Sequence, residues 1–216
     1  MQFPADVQKV YEQIKNGILD GDYIPGQPLP EIPLVEKFGV KRTRIRQIFQ
    51  KLERDTLIEI IPARGAFVKP ISTTDMQEIF EIREALEGIA ARLAARKRRD
   101  ADIEGLLKSF ETITDQSTGD DLEKKVQVGG TLHDFILRSS GNRKIVGILE
   151  PLQIQVTRIW KRGIVLSPER INKAFKEHIE ILAALKQRDE ETSERRMRDH
   201  ISNAFKDYIR VLILNE

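Results

Sequence analysis

The sequence predicts a mainly α protein: an N-terminal winged helix-turn-helix of three helices plus a β-hairpin wing, followed by an all-α bundle of six antiparallel helices. Two observations lead to this fold class. Residues 1–70 combine apolar residues at helical spacing with two β-rich runs around a Pro/Gly turn, whereas residues 75–216 show helical periodicity throughout. With 216 residues, 40% of them hydrophobic, the chain can form two modest domains. We predict domains at residues 1–70 and 75–216, joined by a linker at residues 71–74.

The first domain begins with three helices. Five apolar residues recur at helical spacing in the first helix, which ends by Gly21: Val7, Val10, Tyr11, Ile14 and Ile18. A turn over residues 23–28 follows, and a short helix over residues 34–38 ends at Gly39. The third helix begins near Arg42 and has one apolar face, formed by Ile45, Ile48, Phe49 and Leu52.

A hairpin completes the first domain, and the second domain is helical. Residues 57–61 and 66–68 are rich in β-formers and flank a Pro/Gly turn, so the order of elements is that of a winged helix. Ser72 or Thr73 can cap the helix that follows. Six helices are predicted from there on, over residues 75–98, 101–115, 121–139, 143–162, 168–187 and 189–213.

The basic residues of the first domain concentrate on its third helix. Residues 37–54 carry seven Lys or Arg and one acidic residue. Arg42, Arg44 and Arg46 fall at the start of this helix, where a helix that enters the DNA major groove presents donors to phosphates and bases. Arg42 and Arg46 are four residues apart and share a face opposite the apolar one. A solvated helix face is the alternative, but the surrounding winged-helix pattern favours DNA binding.

Other residues extend the predicted DNA contacts. Lys41 stands at the cap position of this helix, where Ser or Thr is usual, and its charge attracts phosphate. Thr43 suits a phosphate contact. Arg64 and Gly65 lie at the hairpin tip and either touch the minor groove or form a plain turn. The predicted DNA-binding set is Lys41, Arg42, Thr43, Arg44, Arg46, Arg64 and Gly65.

Composition excludes several classes of protein. The chain has no cysteine, so it has no disulfide, no thiolate chemistry and no zinc finger. No run approaches the ~18 apolar residues of a membrane span, and the N-terminus lacks a signal-peptide pattern. We therefore expect a cytoplasmic protein that has no membrane partner. The net charge of +2 does not by itself point to any partner.

The chain has three histidines, and His133, His178 and His200 each lie on the apolar face of a predicted helix. A histidine so placed is usually a hydrogen-bonded core residue. The last two helices meet in a turn near residues 188–189, and His178 and His200 lie about ten residues to either side of it. At ~1.5 Å rise per residue, both rings lie at one level of an antiparallel pair. This arrangement is typical of a divalent transition-metal site, with His133 as a third ligand.

Arg83 lies on the apolar stripe of its helix, although its guanidinium stays charged. Its burial therefore requires an anionic partner. One interpretation is an internal salt bridge with Glu87 or Glu150. The other is that Arg83 binds the carboxylate of a small organic acid near the metal.

With these residues in place, the chain resembles a GntR-superfamily transcription factor of the FadR type with an FCD ligand-binding domain. The resemblance covers nearly the whole chain. Matching residues of the first domain are Ile14, Ile18, Gly21, Pro25, Gly26, Leu29, Leu34, Gly39, Val40, Arg42, Thr43, Arg46, Leu52, Leu57, Arg64, Gly65 and Val68. Those of the second are Arg83, Leu86, Glu87, Leu132, His133, Gly141, Asn142, Glu177, His178, Met197 and His200. The six-helix count resembles the VanR-like branch.

The resemblance implies roles for these residues. The family's metal-ligand positions are occupied by His133, His178 and His200. A divalent transition metal is therefore implied, with Zn²⁺ as the first expectation and Ni²⁺ or Mn²⁺ as alternatives. By the same resemblance, Arg42 and Arg46 contact operator DNA and Arg83 lies in the effector pocket.

The chain departs from the family at four positions. Gly129 stands where the family usually has an Asp ligand, four residues before the first histidine, which leaves three histidines and a more open coordination sphere. Pro33 stands where a DNA-contacting Arg can occur, Lys41 replaces the usual Ser, and Arg44 stands where many members have Pro. We therefore do not expect the operator sequence to follow from relatives.

These observations predict a homodimeric, metal-containing DNA-binding regulator, a repressor and not an enzyme. Two first domains bind a palindromic operator, and a small carboxylate effector fills the space between Arg83 and the metal and shifts the helix packing. The alternative is a metal-dependent hydrolase fused to a DNA-binding head, because three histidines also form catalytic zinc sites. Asp134 points away from the ligand face and offers no general base. A purely architectural DNA binder leaves Arg83 and the histidines unexplained.

Overall fold

The computed structural model packs into two units. It describes residues 5–113, 119–161 and 167–214. The first unit comprises Met1–Met76 with Glu150–Gly163, and the second comprises Gln77–Leu149 with Ile164–Glu216. The boundaries predicted from the sequence, at residues 70 and 75, refer to domains that fold independently. A division into packing units does not test independent folding, so these boundaries stay a prediction.

The first unit is a winged helix, as predicted. Its elements in chain order are α1 (Ala5–Asp20), β1 (Pro28–Leu29), α2 (Glu31–Phe38), α3 (Arg42–Arg54), β2 (Ile58–Ile61) and β3 (Gly65–Val68). The strands form an antiparallel sheet in the order β1-β3-β2. Apolar side chains from all three helices and from the hairpin are buried together, which confirms the predicted apolar face of α3.

Two elements of this unit differ from the prediction. The strand β1 lies at the end of a segment predicted as a turn, and it exists because Leu29 pairs with Ala66 of β3. Two residues are too few for an alternating pattern, so only the pairing partner reveals this strand. Helix α2 begins at Glu31, three residues before the predicted start, with Pro33 inside its first turn. Proline is tolerated there because the first N–H groups of a helix have no partner inside the helix.

Gly39 produces the tight turn between α2 and α3. Its φ of 63° lies in the left-handed region, which glycine adopts without strain, and its N–H donates to the carbonyl of Val35 at 2.9 Å. Only residues 39–41 therefore separate the two helices, and α3 starts at Arg42 with three arginines in its first two turns.

The second unit is helical, and the predicted helices are present. They are α4 (Thr73–Lys97), α5 (Asp100–Glu111), α6 (Gly119–Ser140), α7 (Arg143–Lys161), α8 (Pro168–Lys186) and α9 (Glu190–Leu214). The predicted helix ends at residues 115 and 162, and the predicted breaks at residues 117–118 and 166, lie outside the described residues. Within the described ranges, no helix combines the length and apolarity needed to cross a membrane.

Helix α4 begins inside the predicted linker. Thr73 and Thr74 are helical, so the connection is shorter than the predicted residues 71–74. Ser72 is the cap, as expected: its hydroxyl accepts the N–H of Asp75, while the Asp75 carboxylate accepts the N–H of Ser72. This reciprocal pair satisfies two backbone N–H donors at the helix start.

Helix α7 contributes to both units, because its residues from Glu150 onward pack with the winged helix. Within the first unit, Ile154 contacts the apolar core, and the buried Arg158 donates to the carbonyl of Lys69 at 2.6 Å. This packing differs from the prediction, which places the whole of α7 in the second domain.

Candidate nucleic-acid interface and metal centre

The first turn of α3 presents its basic residues to solvent. The side chains of Arg42 and Arg46 are 61% and 59% exposed, whereas Ile45 is fully buried between them. Lys41 is the N-cap residue in extended conformation, and its side chain makes no capping bond, as expected for a lysine. Thr43 is exposed as well. These positions fit the predicted face of a reading helix.

A cleft of about 760 Å³ lies between α2, α3 and the wing hairpin. Of the predicted DNA-binding residues, the structure brings four together along this cleft: Arg42, Arg46, Arg64 and Gly65. Lys41, Thr43 and Arg44 do not line it, and the Arg44 guanidinium instead donates to Gln47 at 3.0 Å. The basic surface is therefore divided between the cleft and the adjoining start of α3.

Gly65 lets the hairpin tip turn sharply. Its φ of 99° is available to glycine and strained for other residues, and Ala63 also has a positive φ of 60°. The N–H of Arg64 donates to the carbonyl of Ile61 at 3.0 Å and closes the turn. Arg64 and Gly65 therefore lie at a closed turn, which is compatible with both interpretations, and contact with DNA at this tip stays a prediction.

The three histidines meet inside the second unit. His133 comes from α6, His178 from α8 and His200 from α9. The Nε2 atom of His200 lies 3.3 Å from that of His133 and 3.2 Å from that of His178. One nitrogen from each ring lies within 4.8 Å of the other two. The sequence prediction that His178 and His200 lie at one level, with His133 as third member, is therefore confirmed.

Two glutamates orient two of the three rings, those of His133 and His200. His133 Nδ1 lies 2.6 Å from Oε2 of Glu87, and His200 Nδ1 lies 2.8 Å from Oε2 of Glu177. An ionised carboxylate only accepts hydrogen bonds, so each Nδ1 carries the proton and donates it. In a neutral imidazole the Nε2 atom then keeps a lone pair, and these lone pairs point into the cluster.

Burial keeps two of the rings neutral. Desolvation, together with the neighbouring rings, lowers the pKa of His178 and His200 well below the ordinary value. Near neutral pH both therefore offer unprotonated nitrogen. The Nε2 atoms of these two rings lie only 3.2 Å apart, close enough for both to face one bound cation. Three imidazole nitrogens with carboxylates behind them are the donor set and supporting shell of a zinc-type site, so these residues fit a divalent metal.

Arg83 is buried, and its partner is Glu87. Its Nε donates to Oε1 of Glu87 at 2.7 Å, and its guanidinium lies 5.2 Å from the ring centroid of Phe80. Burial alone raises the pKa of Glu87, but the charge of Arg83 and the hydrogen bond from His133 outweigh it and lower that pKa to about 2. Of the two partners considered from the sequence, Glu87 is thus correct and Glu150 is wrong.

One side of Arg83 remains available. Its hydrogen bond to Glu87 uses Nε, and no residue in the described part of the chain accepts a hydrogen bond from its terminal Nη atoms. A guanidinium with two unused parallel N–H groups matches a carboxylate. Through Glu87, the same arginine is linked to His133.

Gly129 allows His178 to approach the backbone of α6. A Cβ at this position would lie 2.5 Å from Cε1 and 2.9 Å from Nδ1 of the His178 ring. Any other residue would displace the ring. The Nδ1 atom of His178 is buried and has no hydrogen-bond partner among the described residues, unlike the Nδ1 atoms of the other two rings. The departure from the family pattern at residue 129 thus has a structural consequence.

Sequence reasoning missed several residues that support this site. It considered Glu87 only as a partner of Arg83, and it gave Glu177 no role. Glu177 also accepts from Asn203 at 3.0 Å and lies 3.4 Å from Nη1 of the buried Arg170. The sequence spacing offered a signal for two of these supporting residues. Glu87 lies one helical turn after Arg83, and Asn203 lies one helical turn after His200.

The chain is similar to known families and proteins over both of its units. The family model "Bacterial regulatory proteins, gntR family" matches residues 6–68, and the model "FCD domain" matches residues 78–203. The chain is 26% identical over 196 residues to the transcriptional repressor RspR of Escherichia coli K12, covering 90% of this chain and 85% of RspR. It is 25% identical over 201 residues to the galactonate operon transcriptional repressor of the same organism, covering 82% and 85%.

Solved structures share the fold. E. coli McbR/YncC superposes with a TM-score of 0.74 at 21% identity, covering 99% of both chains. A GntR transcriptional regulator from Rhodococcus sp. RHA1 superposes with a TM-score of 0.72 at 17% identity, covering 96% of this chain and 99% of that one. The arrangement of a winged helix followed by a helical unit is therefore the one seen in these regulators.

Proposed function

Since the chain belongs to the GntR family of bacterial regulatory proteins and carries an FCD domain, it is a DNA-binding transcriptional regulator, and we propose that it is a metal-containing repressor controlled by a small carboxylate. The observation that carries this proposal is the meeting of three histidine Nε2 atoms beside the Arg83–Glu87 pair. Relatives named as repressors support the direction of control.

The DNA-binding role rests on the start of α3 and on the cleft beside the wing. Arg42 and Arg46 approach base edges in the major groove, Lys41 and Thr43 hold phosphates, and Arg64 reaches the minor groove. Because such helices act in symmetric pairs, the operator is a palindrome with half-sites about one helical turn apart. Such a protein works where the chromosome is, in the bacterial cytoplasm.

A homodimer supplies the two reading helices. Helix α4 supports this assembly because Ile82 and Ile89, seven residues apart on one face, are 42% and 38% exposed. Two large aliphatic side chains on one exposed face are costly in water, and burial against a second copy removes that cost. The half-exposed Leu86 and Leu93 continue the same stripe.

The metal is held by His133, His178 and His200, with Glu87 and Glu177 fixing two of the rings. Zn²⁺ fits neutral imidazole ligands best, and Ni²⁺ or Mn²⁺ are the alternatives. When bound, a divalent metal supplies a Lewis-acidic position to which a carboxylate oxygen can coordinate. Because Gly129 offers no side-chain ligand, the protein itself leaves more of the coordination sphere to water or effector than an Asp at this position would.

The effector is a small organic acid, which Arg83 binds through its Nη atoms. Glu87 bonds to both the Arg83 guanidinium and His133. A ligand that contacts both Arg83 and the metal therefore changes the strength of these two buried hydrogen bonds. One relative is named for the galactonate operon, and galactonate is a sugar acid, so a carboxylate effector here is compatible with that name. Control of this kind amounts to a coupling free energy of about 1–3 kcal/mol between the two sites.

A hydrolase fused to a DNA-binding head has no support. The relatives and both family models are transcriptional regulators and not enzymes. Glu87 and Glu177 are each engaged by a ring Nδ1, and Asp134 is exposed, as its position on α6 predicted. A general base must reach a water beside the metal, and none of these carboxylates is so placed.

Selection of duplexes from a random library on the full-length protein tests the function as a whole. We expect palindromic sites to be enriched, and a thermal-shift screen of small carboxylates with added Zn²⁺ to yield a ligand that changes affinity for them by about 5–150-fold. The variant Arg83→Lys keeps the charge beside Glu87 but loses the planar fork. It should bind DNA and metal normally and lose the carboxylate response.

Each half of this experiment can fail separately. Absence of any enriched duplex would contradict the reading surface. A carboxylate response that Arg83→Lys leaves unchanged would contradict the effector site while leaving DNA binding intact.

Replacement of Gly129 by alanine should weaken metal binding at least about tenfold, because its Cβ would lie 2.5 Å from the His178 ring and push a ligand away. Competition with a chromophoric chelator measures this affinity. Gly130→Ala is the matched control, since a Cβ there meets nothing within 4 Å. Both variants gain up to ~1 kcal/mol of helix propensity. Equal metal affinity in the two variants would show that the close approach of His178 to α6 is unimportant.

A further inference from the structure

Glu31 places a carboxylate among the arginines of the reading surface. It is the first residue of α2 and faces the start of α3. Arg46 donates from Nε to Oε1 of Glu31 at 2.9 Å, and Arg42 donates from Nε to Oε2. Each carboxylate oxygen therefore holds one arginine, and the two arginines are fixed relative to each other. Sequence reasoning gave this glutamate no role.

Both arginines use the same atom for this contact. A guanidinium has five N–H donors, one on Nε and four on the terminal Nη atoms. Glu31 takes the Nε donor of Arg42 and of Arg46, and no described residue accepts from the Nη atoms of either. Guanine presents O6 and N7 as two neighbouring acceptors in the major groove, and a pair of Nη groups matches them end-on. The contact with Glu31 thus leaves the terminal Nη donors of both arginines without an acceptor among the described residues.

Folding stability does not explain this arrangement. The arginine side chains are 61% and 59% exposed, and ion pairs of such exposure contribute little to stability. A carboxylate at this place also weakens the attraction of the surface for DNA phosphates, which is the sequence-independent part of affinity. Glu31 therefore lowers non-specific attraction and at the same time fixes the groups that read bases.

From these contacts we propose that Glu31 is a specificity-determining residue of the DNA-binding surface. It positions Arg42 and Arg46 so that their terminal N–H pairs meet base edges, and its charge disfavours duplexes that offer only phosphates. The inference rests on the assignment of α3 as the reading helix under the proposed function. It adds a positioning residue on α2 whose carboxylate accepts hydrogen bonds and donates none to DNA.

The test compares Glu31→Gln with wild-type full-length protein on two probes, a duplex enriched from a random library and a shuffled duplex of the same composition. Fluorescence anisotropy gives both affinities over a range of salt concentrations. We expect tighter binding to the shuffled duplex, and a ratio of enriched to shuffled affinity about tenfold lower than in the wild type. Glu36→Gln is the control, because it removes the same charge from an exposed position of the same helix. It should leave the ratio unchanged.

A double-variant cycle separates positioning from charge alone. In an Arg46→Ala background, Glu31→Gln should change the ratio much less than it does alone, since one of the two positioned groups is gone. An unchanged ratio in Glu31→Gln, or an equal effect in both backgrounds, would overturn the proposal. Circular dichroism melting of each variant verifies that the winged helix is folded. Failure of the wild type to enrich any duplex would instead contradict the proposed function.

Discussion

Replacement of His178 and His200 together by alanine is expected to leave the purified protein without bound metal. Their Nε2 atoms lie 3.2 Å apart, and His200 is also 3.3 Å from His133, so the double variant keeps a single imidazole of three. Disturbing a supporting partner of a metal ligand already costs 10–100-fold in affinity, and loss of two direct ligands should cost at least about a thousandfold. Both rings are neutral because burial lowers their pKa, so the substitution removes no charge at neutral pH.

Metal analysis of protein prepared without chelator, and thermal melting with and without added Zn²⁺, measure this effect. The wild type should carry metal and gain stability on its addition, whereas the double variant should do neither. The matched control is Ile179→Ala with Asp199→Ala, which alters the neighbouring exposed residues of the same two helices. Melting in the presence of a chelator separates loss of metal from loss of packing. Metal retained by the double variant, or absent from the wild type, would contradict the site.

Replacement of Arg46 by alanine is expected to weaken binding to the enriched duplex by roughly 5–150-fold, which corresponds to about 1–3 kcal/mol for one base-reading arginine. The guanidinium is 59% exposed in the first turns of α3, and only its Nε is engaged, by Glu31. Its loss removes donors from the groove and leaves the apolar face of the helix untouched. Dimerisation, measured by sedimentation, should be unaffected.

A salt titration distinguishes this arginine from other surface charges. Arg54→Ala is a suitable control because it removes the same charge from the last turn of α3, where the Arg54 side chain bonds to the Gln50 carbonyl. It should alter affinity far less than Arg46→Ala does. If Arg46→Ala and the wild type bound the duplex equally at every salt concentration, α3 would not be the reading helix.

Most of the fold could be predicted because its signals are local. Gly39 ends α2 through a positive φ, Ser72 caps α4, and the apolar positions of α3 are buried as their spacing implies. Each of these depends on residues within a turn or two. The strand Pro28–Leu29 could not be predicted in this way, because it is stabilised by pairing with a segment almost forty residues later.

The sequence predicted which helix faces carry the candidate site, but not the side-chain contacts within it. The spacing of His178 and His200 from the turn between their helices placed both rings at one depth, and the structure brings the two Nε2 atoms within 3.2 Å. The same reasoning could not assign Glu177 to His200, because that contact depends on side-chain rotamers at the packing of α8 against α9. It also could not choose between Glu87 and Glu150 for Arg83, since both fall on plausible faces.

Gly129 affects the site in two ways, and only one of them is visible in the sequence. From the sequence it is an absent ligand. In the structure it is also a space that the His178 ring occupies, so its effect on the site is steric as well as chemical. Glu31 is a parallel case on the DNA-binding surface, where an ordinary helix-start residue holds two arginines.

The sequence by itself determined the order of the helices and of the hairpin, the basic start of α3 and the positions of the histidines on apolar helix faces. These follow from periodicity and turn chemistry, which act between neighbours in the chain. Only the tertiary structure decided which groups meet: Glu87 with Arg83 and His133, Glu177 with His200, and Glu31 with Arg42 and Arg46. Helix packing and rotamers set such contacts at ångström precision between residues distant in sequence, and no local pattern encodes that distance.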